Sequence, residues 1–102
     1  MKIINIYLDD TRPTPNNFIG CKTASECINL LKNNECNILS LDHDLGEIDE
    51  TGYDVLLWLE EKVLLDNFYP PKEIRIHSDN CAAWKKMQQA ITFIYNNANS
   101  KL

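Results

Sequence analysis

The stretch that decides the fold is residues 38–46, ILSLDHDLG, in which an apolar run passes directly into three ionisable residues. The apolar part belongs to a predicted strand over 37–41. An apolar run without polar alternation is typical of a strand that is buried on both faces of a parallel sheet. The strand is followed at once by Asp42, His43 and Asp44, so acid and imidazole groups concentrate at its carboxyl end.

Two further strands are predicted, one before and one after this strand in the sequence. IINIYL (3–8) is an apolar run that stops at two aspartates and is predicted to be a buried strand, and EIRIHS (73–78) is predicted to be a further strand. A short strand is also predicted within FIGCK (18–22). It follows TRPTPNN (11–17), whose prolines and asparagines predict a loop.

Three helices are predicted between and after these strands. Thr23 and Glu26 have the spacing of a capping box, which places the first helix start at Thr23. Its buried face consists of Ala24, Cys27, Ile28 and Leu31. The second helix is predicted to start near Thr51 and to end before Pro70. The third covers 81–99, with an apolar stripe of Trp84, Met87, Ile91, Ile94 and Tyr95.

Strands that alternate with helices indicate βα units and therefore a mostly parallel sheet. The predicted fold class is a small doubly wound α/β domain, flavodoxin-like or receiver-like, with helices on both faces of the sheet. The chain has 102 residues, which suits one domain over 1–102 with a single modest core.

Composition and charge narrow the class of partner. The net charge is −5 and the ten Lys and Arg residues are scattered, which argues against a duplex nucleic-acid binder because such a protein needs a basic patch. The negative net charge is compatible with a small phosphorylated ligand, since a metal ion can supply the positive charge. The sequence shows no signal peptide and no membrane span, and the predicted location is the cytoplasm.

The four cysteines show no C-x-x-C spacing and fall mostly in or beside apolar segments. They are predicted to be reduced thiols that fill the core, with disulfides or a zinc site as the alternatives. They are Cys21, Cys27, Cys36 and Cys81.

Polar residues collect at the carboxyl end of each of the three strongly predicted strands, in LDD, LDHD and IHSDN. In open α/β sheets the ligand site lies beyond these ends, where the strand order reverses. We therefore expect these residues to share one shallow site. They are Asp9, Asp10, Asp42, His43, Asp44, His77, Ser78 and Asn80.

Four carboxylates brought together repel one another unless some are protonated or a cation neutralises them. Carboxylate oxygens favour a hard ion, so Mg²⁺ or Mn²⁺ is the predicted cofactor. Arg12 is suited to a bidentate contact with phosphate. Either His43 or His77 is suited to act as general acid or base near neutral pH.

Each of these features also has a structural interpretation. An Asp pair after a strand commonly forms a turn or a cap, and a single His at a strand end is commonly a hydrogen-bonded structural residue. Ser78 to Asn80 can cap the last helix. Thr51, Gly52 and Asp54 are first of all capping residues for the second helix. Arg12 can simply neutralise nearby acids. All three strand ends carry polar or ionisable residues, and this coincidence favours the functional interpretation.

The chain resembles a response-regulator receiver domain in the acidic pair after the first strand, the Asp after the central strand and the Ser after the next. That resemblance implies that Asp9, Asp10 and Asp42 hold Mg²⁺, that Asp42 accepts a phosphoryl group and that Ser78 contacts it. Two departures stand out. A proline loop replaces the first helix of a receiver, and no final strand with the phosphate-binding lysine is found.

The fuller pattern of LDDTRPTP, LSLDHDLG, TGYDVLLWL and IHSDN is similar to the receiver-like family named for cyclic-phosphate processing. The resemblance spans almost the whole chain and implies an enzyme that acts on cyclic phosphates in nucleotide signalling or RNA-end metabolism. It implies an ion on the four aspartates, phosphate on three polar residues, and catalysis by Asp42 together with His43 or His77. The aspartates are Asp9, Asp10, Asp42 and Asp44, and the phosphate contacts are Arg12, Ser78 and Asn80.

Three hypotheses follow for the function. The first is a metal-dependent phosphodiesterase that opens a cyclic nucleotide or a 2′,3′-cyclic phosphate end. The second is a receiver that takes up a phosphoryl group on Asp42, and the third is a protein that binds or sequesters a nucleotide without catalysis. The additional His43 and Asp44 favour hydrolysis over phosphoacceptor signalling.

Overall fold

The alternation of strands and helices in the structure follows the predicted order. The computed structural model describes residues 2–42, 51–77 and 81–99. The elements are β1 (Ile3–Leu8), β2 (Ile19–Cys21), α1 (Ala24–Asn33), β3 (Glu35–Leu41), α2 (Gly52–Asp66), β4 (Glu73–Ile76) and α3 (Cys81–Asn99).

The four strands described form one parallel sheet in the order β2-β1-β3-β4. The chain starts in the interior with β1, steps outward to β2, and then crosses back to add β3 and β4 on the other side. This order confirms the predicted doubly wound, receiver-like α/β fold. The strand order reverses between β1 and β3, so the carboxyl ends of these two strands mark the expected ligand position.

The helices differ from the expected arrangement in one respect, because they pack together on one face of the sheet. α1 contacts α2, and α2 contacts α3. The handedness of the crossovers explains the common side of α1 and α2. The steps from β2 to β3 and from β3 to β4 run in the same direction, so right-handed connections place both helices on the same side. Only the step from β1 to β2 runs the other way, and that connection is the predicted proline loop.

The opposite face of the sheet carries none of the helices that the structure describes and is here called the helix-free face. The proline loop covers part of it. The Asn5 side-chain amide donates to the Asn17 carbonyl at 3.3 Å. A Cβ atom on Gly20 would lie 2.2 Å from the Thr14 hydroxyl oxygen, so the loop packs directly on β2. The loop therefore takes a position that a helix would otherwise occupy.

Local sequence signals set the helix starts. Thr23 is the N-cap of α1, and its hydroxyl accepts a hydrogen bond from the Glu26 N–H at 3.1 Å. At α2 the Asp54 carboxylate accepts from the N–H of the N-cap Thr51 at 2.6 Å. The expected starts are thus confirmed, and Asp54 has the capping role that its position suggested.

The core lies between the sheet and the three helices. Alternate residues of β1 (Ile4, Ile6 and Leu8) are buried there, and Leu39 and Leu41 of β3 join them. Along α3 the expected stripe is mostly confirmed, with one exception: Met87, Ile91 and Ile94 are buried but Trp84 is 46% exposed.

Three of the cysteines are core thiols, as predicted. Cys21, Cys27 and Cys36 are free and buried, and burial raises the pKa of the Cys36 thiol to about 12. The side chain of Cys81 lies outside the described residues. No helix in the described part of the chain is both long and apolar enough to cross a membrane.

Candidate metal centre

Three residues that directly follow a strand are held at the carboxyl edge of the sheet by continuation of its hydrogen-bond ladder. The N–H of Asp9 donates to the Cys21 carbonyl, that of Asp42 to the Leu8 carbonyl, and that of His77 to the Leu41 carbonyl, each at 3.0 Å. Because the backbone of each residue is fixed by the neighbouring strand, the side chains start from rigid positions.

The side chains of Asp9, Asp42 and His77 converge. One ligand atom from each residue lies within 4.8 Å of the other two, a spacing that suits a shared metal ion. Along their strands all three have the phase of residues on the helix-free face, as Tyr7 and Ser40 do. The cluster therefore forms at the corner between the carboxyl edge and the helix-free face.

Asp9 is held in its charged form by backbone donors. Its side chain is 0% exposed, and its Oδ1 accepts from the N–H groups of Thr11 and Arg12, each at 2.9 Å. Burial raises the pKa of Asp9, but these two hydrogen bonds and the nearby His77 outweigh it, so the net pKa lies below the ordinary value of 3.8. A buried carboxylate that stays charged is available as a ligand.

The His77 ring is fixed in three directions. It stacks on Tyr7 with ring centroids 4.4 Å apart and planes inclined by 5°. Its Nδ1 lies 2.7 Å from the Ser40 hydroxyl, and its Nε2 lies 3.1 Å from Asp9 Oδ2. The ring reaches from the end of β4 across β3 to β1, so three strands position one imidazole.

The environment keeps this imidazole neutral over a wider pH range than usual. Burial lowers the pKa of His77, and although Asp9 and Asp42 raise it, the net pKa lies below 6.5. A neutral imidazole carries a lone pair on one nitrogen, which metal binding requires. The Ser40 hydroxyl can accept from Nδ1–H as well as donate to Nδ1, so it accommodates the tautomer that leaves Nε2 unprotonated.

The start of α2 packs closely against Asp42. A Cβ atom on Gly52 would lie 2.1 Å from the Asp42 carbonyl oxygen. Only glycine permits this approach of the start of α2 to the Asp42 backbone. Gly52 thus has a close-packing role that the capping interpretation did not include.

Arg12 lies beside the cluster. Its Nη1 donates to the His77 carbonyl oxygen and lies 3.7 Å from Asp9 Oδ2. The Arg12 side chain is 38% exposed. The guanidinium therefore forms part of the wall of the site and neutralises an acid there, as one of the two interpretations of Arg12 expects.

The remaining predicted residues have different placements. Asp10 is half-buried, and it does not belong to the cluster found among the described residues. His77, expected as an acid or base, lies with the carboxylates as a potential ligand. The predictions for His43, Asp44, Ser78 and Asn80 concern residues outside those that the structure describes.

Two residues of the site, Tyr7 and Ser40, were not predicted. Both lie inside runs that were expected to be buried on both sides, and the helix-free face explains why polar groups are tolerated there. The signal in the sequence was the polar residue within an apolar run: Ser40 in NILSL and Asn5 in IINIYL. Both positions lie on the helix-free face.

The sequence also matches a known protein family. A family model described as "Cyclic-phosphate processing Receiver domain" matches residues 4–93. The matched range contains the strands described, except the first residue of β1, and it contains both aspartates and the histidine of the cluster. Searches of curated proteins and of solved structures gave no match.

Proposed function

This chain belongs to the family of cyclic-phosphate processing receiver domains, and on that premise we propose that it hydrolyses a cyclic phosphodiester with the help of a divalent metal ion. The substrate class is a small cyclic phosphate, either a cyclic nucleotide or a 2′,3′-cyclic phosphate end. The observation that carries the proposal is the convergence of Asp9, Asp42 and His77 from three strand ends to within 4.8 Å.

The donor set favours Mn²⁺ over Mg²⁺ among the two ions expected from the sequence. Asp9 and Asp42 offer carboxylate oxygens, and His77 offers an imidazole nitrogen. Mg²⁺ binds almost entirely through oxygen, whereas Mn²⁺ accepts carboxylates and an imidazole together. A bound ion of this kind supplies positive charge that offsets the negative charge of the phosphoryl group.

The roles of the two histidines separate under this proposal. If His77 Nε2 is a ligand, it is no longer available to carry a proton, because that nitrogen is the one beside Asp9. Proton transfer to the leaving alkoxide then falls to His43, the other histidine of the chain. Ser40 and Tyr7 act through His77 and are positioning residues.

Arg12 holds the phosphate in this account. Its guanidinium is anchored to the His77 carbonyl, and part of its side chain is exposed at the site. The anchor fixes the orientation of the guanidinium, and its planar fork is suited to donate to two oxygens of one phosphate. Ser78 and Asn80 stay in the proposal as additional phosphate contacts.

Hydrolysis adds one water across one P–O bond of the ring. The oxygen of water forms a new bond to phosphorus, the ring P–O bond breaks, and the departing alkoxide takes up a proton. The product is a linear phosphomonoester with a free hydroxyl group. The reaction needs no co-reactant other than water.

The test is a product assay on the purified chain with Mn²⁺ and a panel of cyclic mononucleotides, cyclic dinucleotides and 2′,3′-cyclic nucleoside phosphates. We expect a linear phosphomonoester from at least one member, detected by chromatography with mass spectrometry. The Asp42→Asn variant and an EDTA-treated sample are the matched controls and should form no product. If manganese binds but no member of the panel is cleaved, hydrolysis is overturned, and thermal stabilisation by an uncleaved member would identify a non-catalytic binder.

Phosphorylation of Asp42 is the second candidate, favoured by the position of this residue at the end of the central strand β3 and beside Asp9. Acetyl phosphate and intact-mass measurement distinguish the two. A stoichiometric adduct that is absent in Asp42→Asn would establish a phosphoacceptor, whereas cyclic-phosphate turnover without an adduct would establish the hydrolase.

A further inference from the structure

The edge strand β4 presents backbone hydrogen-bonding groups to a further strand. Among the residues that the structure describes, β4 pairs with β3 alone. The hydrogen bond from the His77 N–H to the Leu41 carbonyl fixes which residues face β3. Because the backbone groups of alternate residues in a strand point to opposite sides, the N–H and C=O groups of Ile74 and Ile76 point outward.

The charged side chains on β4 are self-complementary. Glu73 and Arg75 lie on the helix-free face on either side of Ile74, and about half of each side chain is exposed. A two-fold axis at Ile74 that aligns two copies antiparallel places Glu73 of each copy opposite Arg75 of the other. Within one chain Arg75 already contacts Glu73, so the dimer exchanges this pair for the same pair across the interface.

Backbone phase and charge pattern select the same register. In the register centred on Ile74, the outward N–H and C=O of each Ile74 meet those of the other copy as a hydrogen-bonded pair. A shift of the axis to Arg75 would place two Arg75 side chains opposite each other and would direct their backbone groups away from the interface. Two independent features therefore agree on one alignment.

We propose that the chain forms a symmetric dimer through antiparallel pairing of β4 with β4 of a second copy, which joins the two sheets into one. The pairing satisfies the outward groups of Ile74 and Ile76, which an exposed edge would leave to water. The occupant of the edge is thus a second copy of this chain, selected by the Glu73 and Arg75 pairs.

The exposed Trp84 lies on the part of α3 that runs along this edge. Tyr95 donates its hydroxyl to the Pro71 carbonyl, just before β4, at 2.6 Å. Trp84 shares the helical stripe of Tyr95 and Ile91, because the spacings of 7 and 11 residues return to one side of a helix. An added strand beside β4 would lie against this stripe and cover Trp84, which is 46% exposed in the single chain.

The dimer is independent of the proposed hydrolysis. Antiparallel pairing directs the carboxyl ends of the two β4 strands in opposite directions, so each Asp9, Asp42 and His77 cluster remains in its own copy. A monomeric variant should therefore still bind manganese, and failure of either proposal leaves the other intact.

The test is light scattering after size-exclusion chromatography on the full chain, from 10 µM to 1 mM. The wild-type chain should approach twice the 11.8 kDa of one copy. Arg75→Glu places like charges opposite each other and should raise the concentration needed for dimer formation about tenfold or more. Glu73→Arg should do the same with the opposite charge, and circular dichroism confirms that both variants fold.

Mixing the two variants gives the sharpest result. A Glu73→Arg chain and an Arg75→Glu chain are each self-repelling, but together they restore both opposite-charge pairs. The mixture should form a heterodimer, and the double variant E73R/R75E should form a homodimer like that of the wild type. A monomeric wild-type chain at 1 mM, or a mixture that stays monomeric while the wild type dimerises, would overturn the proposal.

Discussion

The two faces of the sheet differ in what their buried side chains contact. On the helix-covered face, Leu39 is fully buried in the hydrophobic core. On the helix-free face, the next residue along the chain, Ser40, is buried beneath a histidine ring that it positions by a hydrogen bond. Side chains alternate between the two faces along a strand, so core residues and residues that position His77 lie on opposite faces of β3. Substitutions on one face should mainly change stability, and substitutions on the other should mainly change metal binding.

The largest effect is expected on the free energy of unfolding, which should differ between substitutions at two adjacent residues of β3. Leu39→Ala removes a fully buried side chain and should lower the free energy of unfolding by about 2–5 kcal/mol. Ile38→Ala, on the helix-free face where the side chain is half-buried, should cost only about 1 kcal/mol. Urea denaturation at one protein concentration measures both values. Equal losses would mean that the two faces are covered alike.

The next effect should follow from Ser40→Ala. Loss of the hydroxyl removes the 2.7 Å contact with His77 Nδ1, and loss of such a partner behind a metal-binding histidine weakens metal affinity by about 10- to 100-fold. Isothermal titration with Mn²⁺ gives the affinity. Ser40→Thr retains the hydroxyl and should retain most of the binding. An unchanged affinity in Ser40→Ala would show that His77 needs no positioning from β3.

A smaller effect on the free energy of unfolding is expected when the pH of the metal-free protein is lowered. The pKa of His77 is lowered in the folded state, so between that pKa and 6.5 the unfolded chain holds more protons at this position. Stability from His77 is therefore complete above pH 6.5 and is lost as the pH falls through the folded pKa. The lowered pKa of Asp9 adds a second loss, which begins below about pH 4.

Urea denaturation of the wild type and of His77→Gln between pH 5 and 7.5, with EDTA present, isolates this histidine. The wild type should lose more stability than the variant as the pH falls below 6.5. Parallel curves, or a steeper loss in the variant, would contradict the assigned direction of the His77 pKa.

The sequence predicted the elements and the edge of the sheet at which Asp9, Asp42 and His77 converge, because local and periodic signals determine both. The apolar runs, the Thr23 cap and the prolines at 70 and 71 defined the elements, and the three polar strand ends indicated the carboxyl edge. The sequence did not indicate that the helices pack on one face of the sheet, since this depends on the direction of each crossover and hence on strand order. Ser40 and Tyr7 were missed because their roles exist only once β1, β3 and β4 are neighbours.

If Asp9, Asp42 and His77 hold one divalent ion, electron paramagnetic resonance of bound Mn²⁺ should detect these ligands. We predict one bound Mn²⁺ per chain with coupling to an imidazole nitrogen. Asp42→Asn should abolish binding, His77→Gln should abolish the nitrogen coupling, and His43→Gln should preserve it. Nitrogen coupling that persists in His77→Gln, or manganese bound with equal affinity by Asp42→Asn, would contradict the account.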